Sequence, residues 1–362
     1  METEFFDSIL NINLTKLKNN YLILKKEIGN SICAATIKAN AYGIGYEKAL
    51  TSLTDVGCND YFVASINEAI NIRKINDNAS IYVFHGVKKD ETQAFLDHNI
   101  IPVINSKNQL NIWSEFAKSR AIKLNMVLHF DTAMNRLGVE YSDFDYFYNY
   151  DYKMLNILYV MSHLSSASEM QANNNNQLSK FKKIIKKFPN AKYSLANSSG
   201  IFLGKDFHFD MVRAGVALYG VNPTPYKKDN PMLNIINLKT KIIDTKIISK
   251  DGYVGYGLNN KISKNTKIAI IPIGYADGYA RILSNKAYCF IKGSNYPIIG
   301  NISMDLTIID ISNDKGNNIN IGDYVELIGD NIKIDDLVKN TNLIPYEILT
   351  SLIGRYKVKY TE

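Results

Sequence analysis

The chain has 362 residues, 46% of them hydrophobic and 21% charged, with 42 Lys and Arg against 35 Asp and Glu for a formal charge of +7. That length suits one large domain with a smaller companion, and no apolar run reaches the roughly 20 residues that span a bilayer. The lysines are scattered rather than clustered, which argues against nucleic acid as a partner, and Cys33, Cys58 and Cys289 stand singly, without the spacing of a metal knuckle or a disulfide framework. The opening residues carry acids instead of a basic patch and an apolar core, so a cytoplasmic protein is expected, with no metal and no membrane contact.

The first two-thirds of the chain repeats one unit: a short apolar, β-branched run, a polar or glycine-containing turn, then a longer stretch of helical period. Eight such runs occur: Ala34 to Lys38, Tyr61 to Ser65, Ile81 to Gly86, Ile101 to Asn105, Met126 to Asp131, Leu158 to Leu164, Tyr193 to Asn197, and Met211 to Gly215. Helical candidates such as Ser106 to Arg120 and Glu169 to Phe188 lie between them. This alternation predicts parallel strands with crossover helices, and eight repeats permit closure into a (β/α)8 TIM-type barrel. An open doubly wound sheet is disfavoured, because no GxGxxG follows the first strand. From about Leu233 the text turns to alternating strands, as in LKTKIIDTKIIS, TKIAIIPIGYADG and DYVELIGDN, before a helical stretch around Ile334 to Leu352. The predicted division is a barrel over 1–232 and a mostly β domain over 233–362, with the boundary near Asn230-Pro231.

Functional groups of such a barrel sit at the carboxyl ends of its strands. The first strand delivers Lys38, then Tyr42 and the turn Gly43-Ile44-Gly45; the sixth delivers His163; the seventh Asn197 and Ser198; the eighth Arg213, Gly215 and Val216. Loops after strands seven and eight often hold a phosphate on backbone N–H groups, so the pattern suggests a phosphorylated cofactor opposite a reactive lysine. Each residue also has an ordinary reading. Lys38 suits a solvated strand end, His163 a buried satisfied imidazole, Asn197 and Ser198 a helix N-cap, Gly215 a turn and Arg213 an ion pair. Their joint placement at strand ends is what singles them out.

The string Ala35-Thr36-Ile37-Lys38-Ala39-Asn40-Ala41-Tyr42-Gly43 resembles the cofactor-lysine motif of bacterial alanine racemases, a family of pyridoxal-phosphate enzymes. Asp131-Thr132-Ala133-Met134-Asn135-Arg136-Leu137-Gly138, Ser162-His163, Asn197-Ser198-Ser199, Val212-Arg213-Ala214-Gly215, Gly274-Tyr275-Ala276-Asp277-Gly278-Tyr279 and Ser303-Met304-Asp305 resemble further motifs in family order, over nearly the whole chain. The resemblance implies interconversion of L- and D-alanine for peptidoglycan by a homodimer with shared sites. It makes Lys38 the cofactor lysine and one base, and Tyr275 of the partner subunit the other. His163 and Arg213 would support Tyr275, with Arg213 also serving the cofactor's ring nitrogen. Phosphate would be held by Tyr42, Ser198, Gly215 and Val216 beside Asn197, and the substrate carboxylate by Arg136 and the Met304 N–H.

Three departures stand out. His129 occupies the place where many relatives carry a carbamate-forming lysine, Gly354 precedes Arg355 where some have tyrosine, and Asn301 stands where arginine is common. The last two bear on the entry corridor, so racemisation of serine or a basic amino acid is the nearest alternative. A barrel decarboxylase is disfavoured, since Cys289 is the only cysteine of that half, and a non-catalytic cofactor-binding barrel is disfavoured by Tyr275.

Overall fold

The computed structural model describes residues 6–169, 173–314, 316, 318–352 and 354–362. The chain forms two compact units, Leu17–Leu233, and Asn234–Glu362 together with Met1–Lys16.

After strand β1 (Ser8–Asn13) and a helix (Leu14–Ile28) come the eight parallel strands of a closed barrel. They are β2 (Ile32–Thr36), β3 (Asp60–Val63), β4 (Ser80–Val83), β5 (Ile101–Ile104), β6 (Leu124–His129), β7 (Leu155–Met161), β8 (Lys192–Asn197) and β9 (Met211–Ala214), with β9 pairing back onto β2. Every one of the eight runs picked from the sequence overlaps one of these strands, and the fold is the barrel plus mostly β region that their alternation implied. Strands buried on both faces read as unbroken apolar runs, which is why IPVI of β5 is buried throughout. Ala34, Phe62, Tyr82, Val103, Val127, Tyr159, Met161 and Met211 pack into one interior cluster, so the barrel is a filled core and not a pore. Each large apolar side chain buried there contributes about 1.5–3 kcal/mol.

Ser106 caps the helix Lys107–Arg120, its hydroxyl accepting the Gln109 N–H. The candidate Glu169 to Phe188 is helical over Asn174–Ile185, while residues 170–172 of it lie outside the described residues. The expected helix from Ile334 to Leu352 is two, Ile334–Val338 and Pro345–Ser351, because Pro345 forces Ile344 into extended backbone (φ −111°, ψ 148°).

The second unit carries β10 (Ile236–Lys241), β11 (Asp244–Ile247), β12 (Gly252–Tyr253), β13 (Lys261–Ile262), β14 (Lys267–Ile271), β15 (Tyr288–Ile291), β16 (Ser294–Ile299), β17 (Thr307–Asp310), β18 (Tyr324–Ile328) and β19 (Lys357–Thr361). All but the β12-β13 pair join β1 in a nine-stranded sheet of order β11-β14-β17-β16-β15-β18-β10-β1-β19. The division expected at 1–232 therefore needs correcting at its start: the amino-terminal residues go with the second unit. The cause is the two-residue period of SILNIN, which buries Ser8, Leu10 and Ile12 and pairs the strand with β10 on one side and β19 on the other. Ser8 and Thr240 close that register with a 2.7 Å hydroxyl contact. Among the described residues no helix is long and apolar enough to cross a membrane.

Candidate active site

Strand β2 ends at Thr36, so Lys38 opens the turn beyond it rather than closing the strand. Ala39, Asn40, Ala41 and Tyr42 then follow with φ of 51°, 55°, 53° and 55°, a left-handed turn built without glycine. For L-residues this conformation costs about 1–2 kcal/mol each, so something must hold it. Ala41 N–H donates to Ile37 O at 3.0 Å and Gly43 N–H to Ala39 O at 3.0 Å; Tyr46 N–H donates to the Asn40 side-chain oxygen at 2.9 Å and Ala39 N–H to Glu68 Oε1 at 2.7 Å. Lys38 is half-buried, its Nζ 5.8 Å from the Phe84 ring centroid. Burial, then the positive charge of Arg136, lower its pKa below the ordinary lysine value, with Glu68 acting in the opposite direction. An amine of reduced basicity spends more time neutral and is the better nucleophile toward a carbonyl.

Strand β9 places Arg213 inside the barrel unit, fully buried. Its Nη1 donates to Ser194 Oγ, and its Nη2 to the carbonyls of Ser162 at 2.6 Å and Leu195 at 3.2 Å. Nη2 also lies 3.4 Å from His163 Nδ1; a guanidinium only donates, so Nδ1 accepts and the imidazole proton belongs on Nε2. Burial, followed by Arg213, holds His163 well below the usual histidine range, while burial alone brings Arg213 to about 9, still a cation near neutrality. The Arg213 Nε is buried with no hydrogen-bond partner among the described residues. A buried donor left unpaired is costly, and here it marks a place prepared for an acceptor.

Ser198 Oγ accepts the N–H groups of Gly215 at 2.8 Å and Ala217 at 3.2 Å, which leaves its own proton to donate. Gly215 precedes the turn Val216–Tyr219, and a Cβ on it would stand 2.8 Å from the Tyr42 hydroxyl. Tyr42 packs against Tyr219, ring centroids 4.7 Å apart. Hydroxyls and a close-approaching backbone make a cradle for an oxyanion. Asn197 matches its ordinary reading: its side chain caps the short helix Ser198–Ile201 by accepting Gly200 N–H at 2.9 Å, and donates to Leu164 O at 3.2 Å.

Past β6, Asp131 accepts the N–H groups of Ala133, Met134 and Asn135 at 2.6–2.7 Å, folding the loop that exposes Arg136. His129 is buried at the end of β6, with Nδ1 2.8 Å from Asn105 Oδ1.

In the second unit, Tyr275 begins the one-turn helix Tyr275–Asp277 and is 44% exposed. Tyr275 N–H donates to Ser303 O at 3.0 Å and Ala276 N–H to Met304 O at 3.1 Å, and a Cβ on Gly274 would strike those two carbonyls at 2.3 Å. Glycine at 274 is what lets the two loops touch by backbone. The Met304 N–H makes no hydrogen bond among the described residues. Asp277 is buried and held by Arg355, whose Nε and Nη2 donate to its two oxygens at 2.9 and 3.0 Å, while Arg355 Nη1 reaches Asp305 at 2.8 Å.

The barrel unit thus brings Lys38, Tyr42, His163, Asn197, Ser198, Arg213, Gly215 and Val216 to the carboxyl ends of its strands, with Arg136 on the loop after β6; Tyr275 and Met304 belong to the other unit. Sequence reasoning passed over Glu68, Asn105, Asp277 and Arg355 as site-building residues. Glu68 left a trace in the Ser65-x-x-Glu68 spacing of a capping box, which the structure contains, and Asp277 stood inside the Gly274–Tyr279 motif without a role of its own.

Residues 12–223 match the model of the family described as alanine racemase, N-terminal domain, and residues 235–360 that of alanine racemase, C-terminal domain. An alanine racemase of Rickettsia bellii is 44% identical over 337 residues, 92% of this chain and 82% of that protein; one of Rickettsia canadensis is 39% identical over 97% of this chain and 98% of its own. Among solved structures, the alanine racemase of Bartonella henselae with covalently bound pyridoxal phosphate is similar at a TM-score of 0.94 and 35% identity, covering 98% of this chain and 99% of that one. The biosynthetic alanine racemase of Pseudomonas aeruginosa is similar at 0.91 and 25%, over 99% of this chain and all of the other.

Proposed function

The chain belongs to the alanine racemase family, and on that premise we propose that it interconverts L- and D-alanine with pyridoxal phosphate at Lys38, by two bases, in a cytoplasmic homodimer that supplies D-alanine for peptidoglycan. The residues of the barrel fit that cofactor. The unpartnered Arg213 Nε offers a donor to its ring nitrogen, and Tyr42, the Ser198 hydroxyl and the backbone at Gly215 and Val216 suit its phosphate, with Asn197 capping the helix that carries Ser198. Bound there, pyridoxal phosphate supplies an electron sink that makes the proton on the substrate α-carbon removable.

Lys38 takes or returns that proton on one face. Tyr275 of the partner subunit serves the other face, where its hydroxyl needs a neighbour that stabilises its anion. Arg213 and the His163 it contacts supply that support. A guanidinium has no proton to give up near neutrality, so Arg213 would donate a hydrogen bond to the ring nitrogen without protonating it, and the sink it supplies would be modest. Arg136 and the Met304 N–H of the partner orient the carboxylate.

What carries this reading is the coexistence of a half-buried lysine of lowered basicity with a buried arginine that keeps one N–H unspent, both at strand ends of one barrel. Purified protein incubated with L-alanine should yield D-alanine on chiral chromatography. Lys38→Ala should lose the visible absorbance of the bound cofactor and about 10³-fold or more in turnover. If both persist, Lys38 is not the cofactor lysine; Lys48, exposed on the following helix, is the neighbour to test next.

A broader substrate range is a second reading, because Gly354 stands where the resemblance implies a tyrosine that narrows the entrance. A Cβ there would meet Asp277 Cα at 2.4 Å, so no larger side chain fits this backbone. A panel of L-amino acids, serine and lysine included, separates the two.

A further inference from the structure

The left-handed turn after Lys38 is held mostly from within, by its own carbonyls and the Asn40 side chain. A side chain from elsewhere in the barrel also reaches it. Glu68 spreads its carboxylate over three backbone donors: Oε1 takes the Ala39 N–H at 2.7 Å, and Oε2 takes those of Ala64 at 2.8 Å and Ser65 at 3.2 Å. The same side chain therefore ties the residue next to Lys38 to the end of β3 and to the start of the helix Ile66–Arg73.

Capping that helix accounts for Oε2 alone, since the reciprocal Ser65–Glu68 box is complete without Oε1. Oε1 reaches across 29 positions of sequence to a strained turn. Left-handed L-residues persist only where their surroundings over-determine them, and such strain gathers where a side chain must be aimed. Glu68 is also the negative charge that partly offsets the lowering of Lys38's pKa by burial and Arg136.

We propose that Glu68 is a positioning residue for Lys38: by holding the Ala39 N–H it locks the left-handed turn and presents the lysine amine in one place. The proposal rests on the reading of Lys38 as cofactor lysine and proton carrier. A carboxylate is required because donors approach both oxygens. Glutamine at 68 can keep the helix cap with its oxygen, but then turns its NH2 toward the Ala39 N–H, donor against donor.

The test is Glu68→Gln in the holoenzyme, read by hydrogen exchange with mass spectrometry and by alanine kinetics. Exchange in the peptide over residues 38–45 should quicken by about tenfold or more while that over 66–73 stays as in wild type. Turnover should fall by about ten- to hundredfold, in kcat with KM little changed, because the lysine is misplaced and not the substrate. Adding Ala39→Gly, which adopts this backbone without strain, should recover most of the lost turnover.

Unchanged exchange at 38–45, equal quickening at 66–73, or no rescue by glycine would each assign Glu68 to the helix cap alone and overturn the proposal. Should Glu68→Gln not fold, the double variant decides: folding restored by Ala39→Gly supports the turn, and folding not restored supports the cap. Failure of wild type to racemise alanine would count against the proposed function, and the exchange measurement would still judge Glu68.

Discussion

At His129 the imidazole is set by an asparagine. Asn105 commits its Nδ2 to the carbonyls of Phe84 and Val103, 2.9 Å from each, so Oδ1 must accept from His129 Nδ1, which carries the proton. Burial, then the charge of Arg213, push the ring from 6.5 down to about 3. The unfolded chain therefore takes up a proton before the native one does. Across that window the unfolded state binds more protons, and stability falls as pH drops from about 6.5 toward 3. His129→Gln removes this titration, so the melting temperature of wild type should fall more steeply on acidification than that of the variant, as scanning calorimetry at a series of pH values will show. With no lysine at this place, turnover should also be indifferent to added bicarbonate. The motifs singled out Lys38 and Arg213 by the strings they sit in, His129 by its place two residues before Asp131-Thr132, and Ser198 by a string that is weak alone but stands in family order with the rest. They could not reveal Asn105 or Glu68, whose bonds join one strand end to the next across more than twenty residues.

Between elements, the second unit fastens the loops that carry Tyr275 and Met304 with one arginine. Arg355 forks onto buried Asp277 and also holds Asp305, so the turn carrying Tyr275 and the loop carrying Met304 share an anchor. Burial alone would raise the Asp277 pKa, but the Arg355 hydrogen bonds and the Gly274 N–H outweigh it and leave the carboxyl below its ordinary value. Arg355→Met strands that carboxylate. It should lower both the melting temperature and, by about ten- to hundredfold, kcat, with Arg355→Lys between, because an ammonium cannot make the two-pronged contact. Equal kcat in all three proteins would show the loops hold their places unaided. Here sequence reading served unevenly. Barrel strands were legible as apolar runs bounded by turns, whereas β1 was not, since its alternation spans a single short segment that runs straight into the helix Leu14–Ile28.

For the molecule as a whole, the proposed dimer makes a sharp prediction. If Tyr275 acts on the partner's Lys38, the inactive parents Lys38→Ala and Tyr275→Phe should complement when subunits are mixed and exchanged. One site of each mixed dimer then carries both lesions and the other neither. Random pairing makes about half the dimers mixed, so activity should return to about a quarter of wild type per protomer. A mixture that stays inactive, with exchange verified, would place both bases in one chain. A boundary was expected near Pro231 because the text changes there from βα repeats to strand alternation, and by contact the barrel unit runs to Leu233. Its other end was not legible, because the sheet partners of β1 lie more than two hundred residues away.

That distance has a consequence for how the protein is made. Synthesis delivers β1 first, then the entire barrel Leu17–Leu233, and only afterwards β10 and, last of the sheet, β19. All the barrel's strand pairings but the closing one of β9 with β2 run between neighbours in sequence, and every one of its strands has been made before β10, while β1 must wait unpaired. Until β19 has emerged, the strand already paired with β10 keeps one edge open, a template for stray strands from other nascent chains. A message cut short between β10 and β19 would thus release all eight barrel strands tethered to an adhesive, incomplete sheet, and the cell would meet it as a substrate for chaperones and proteases.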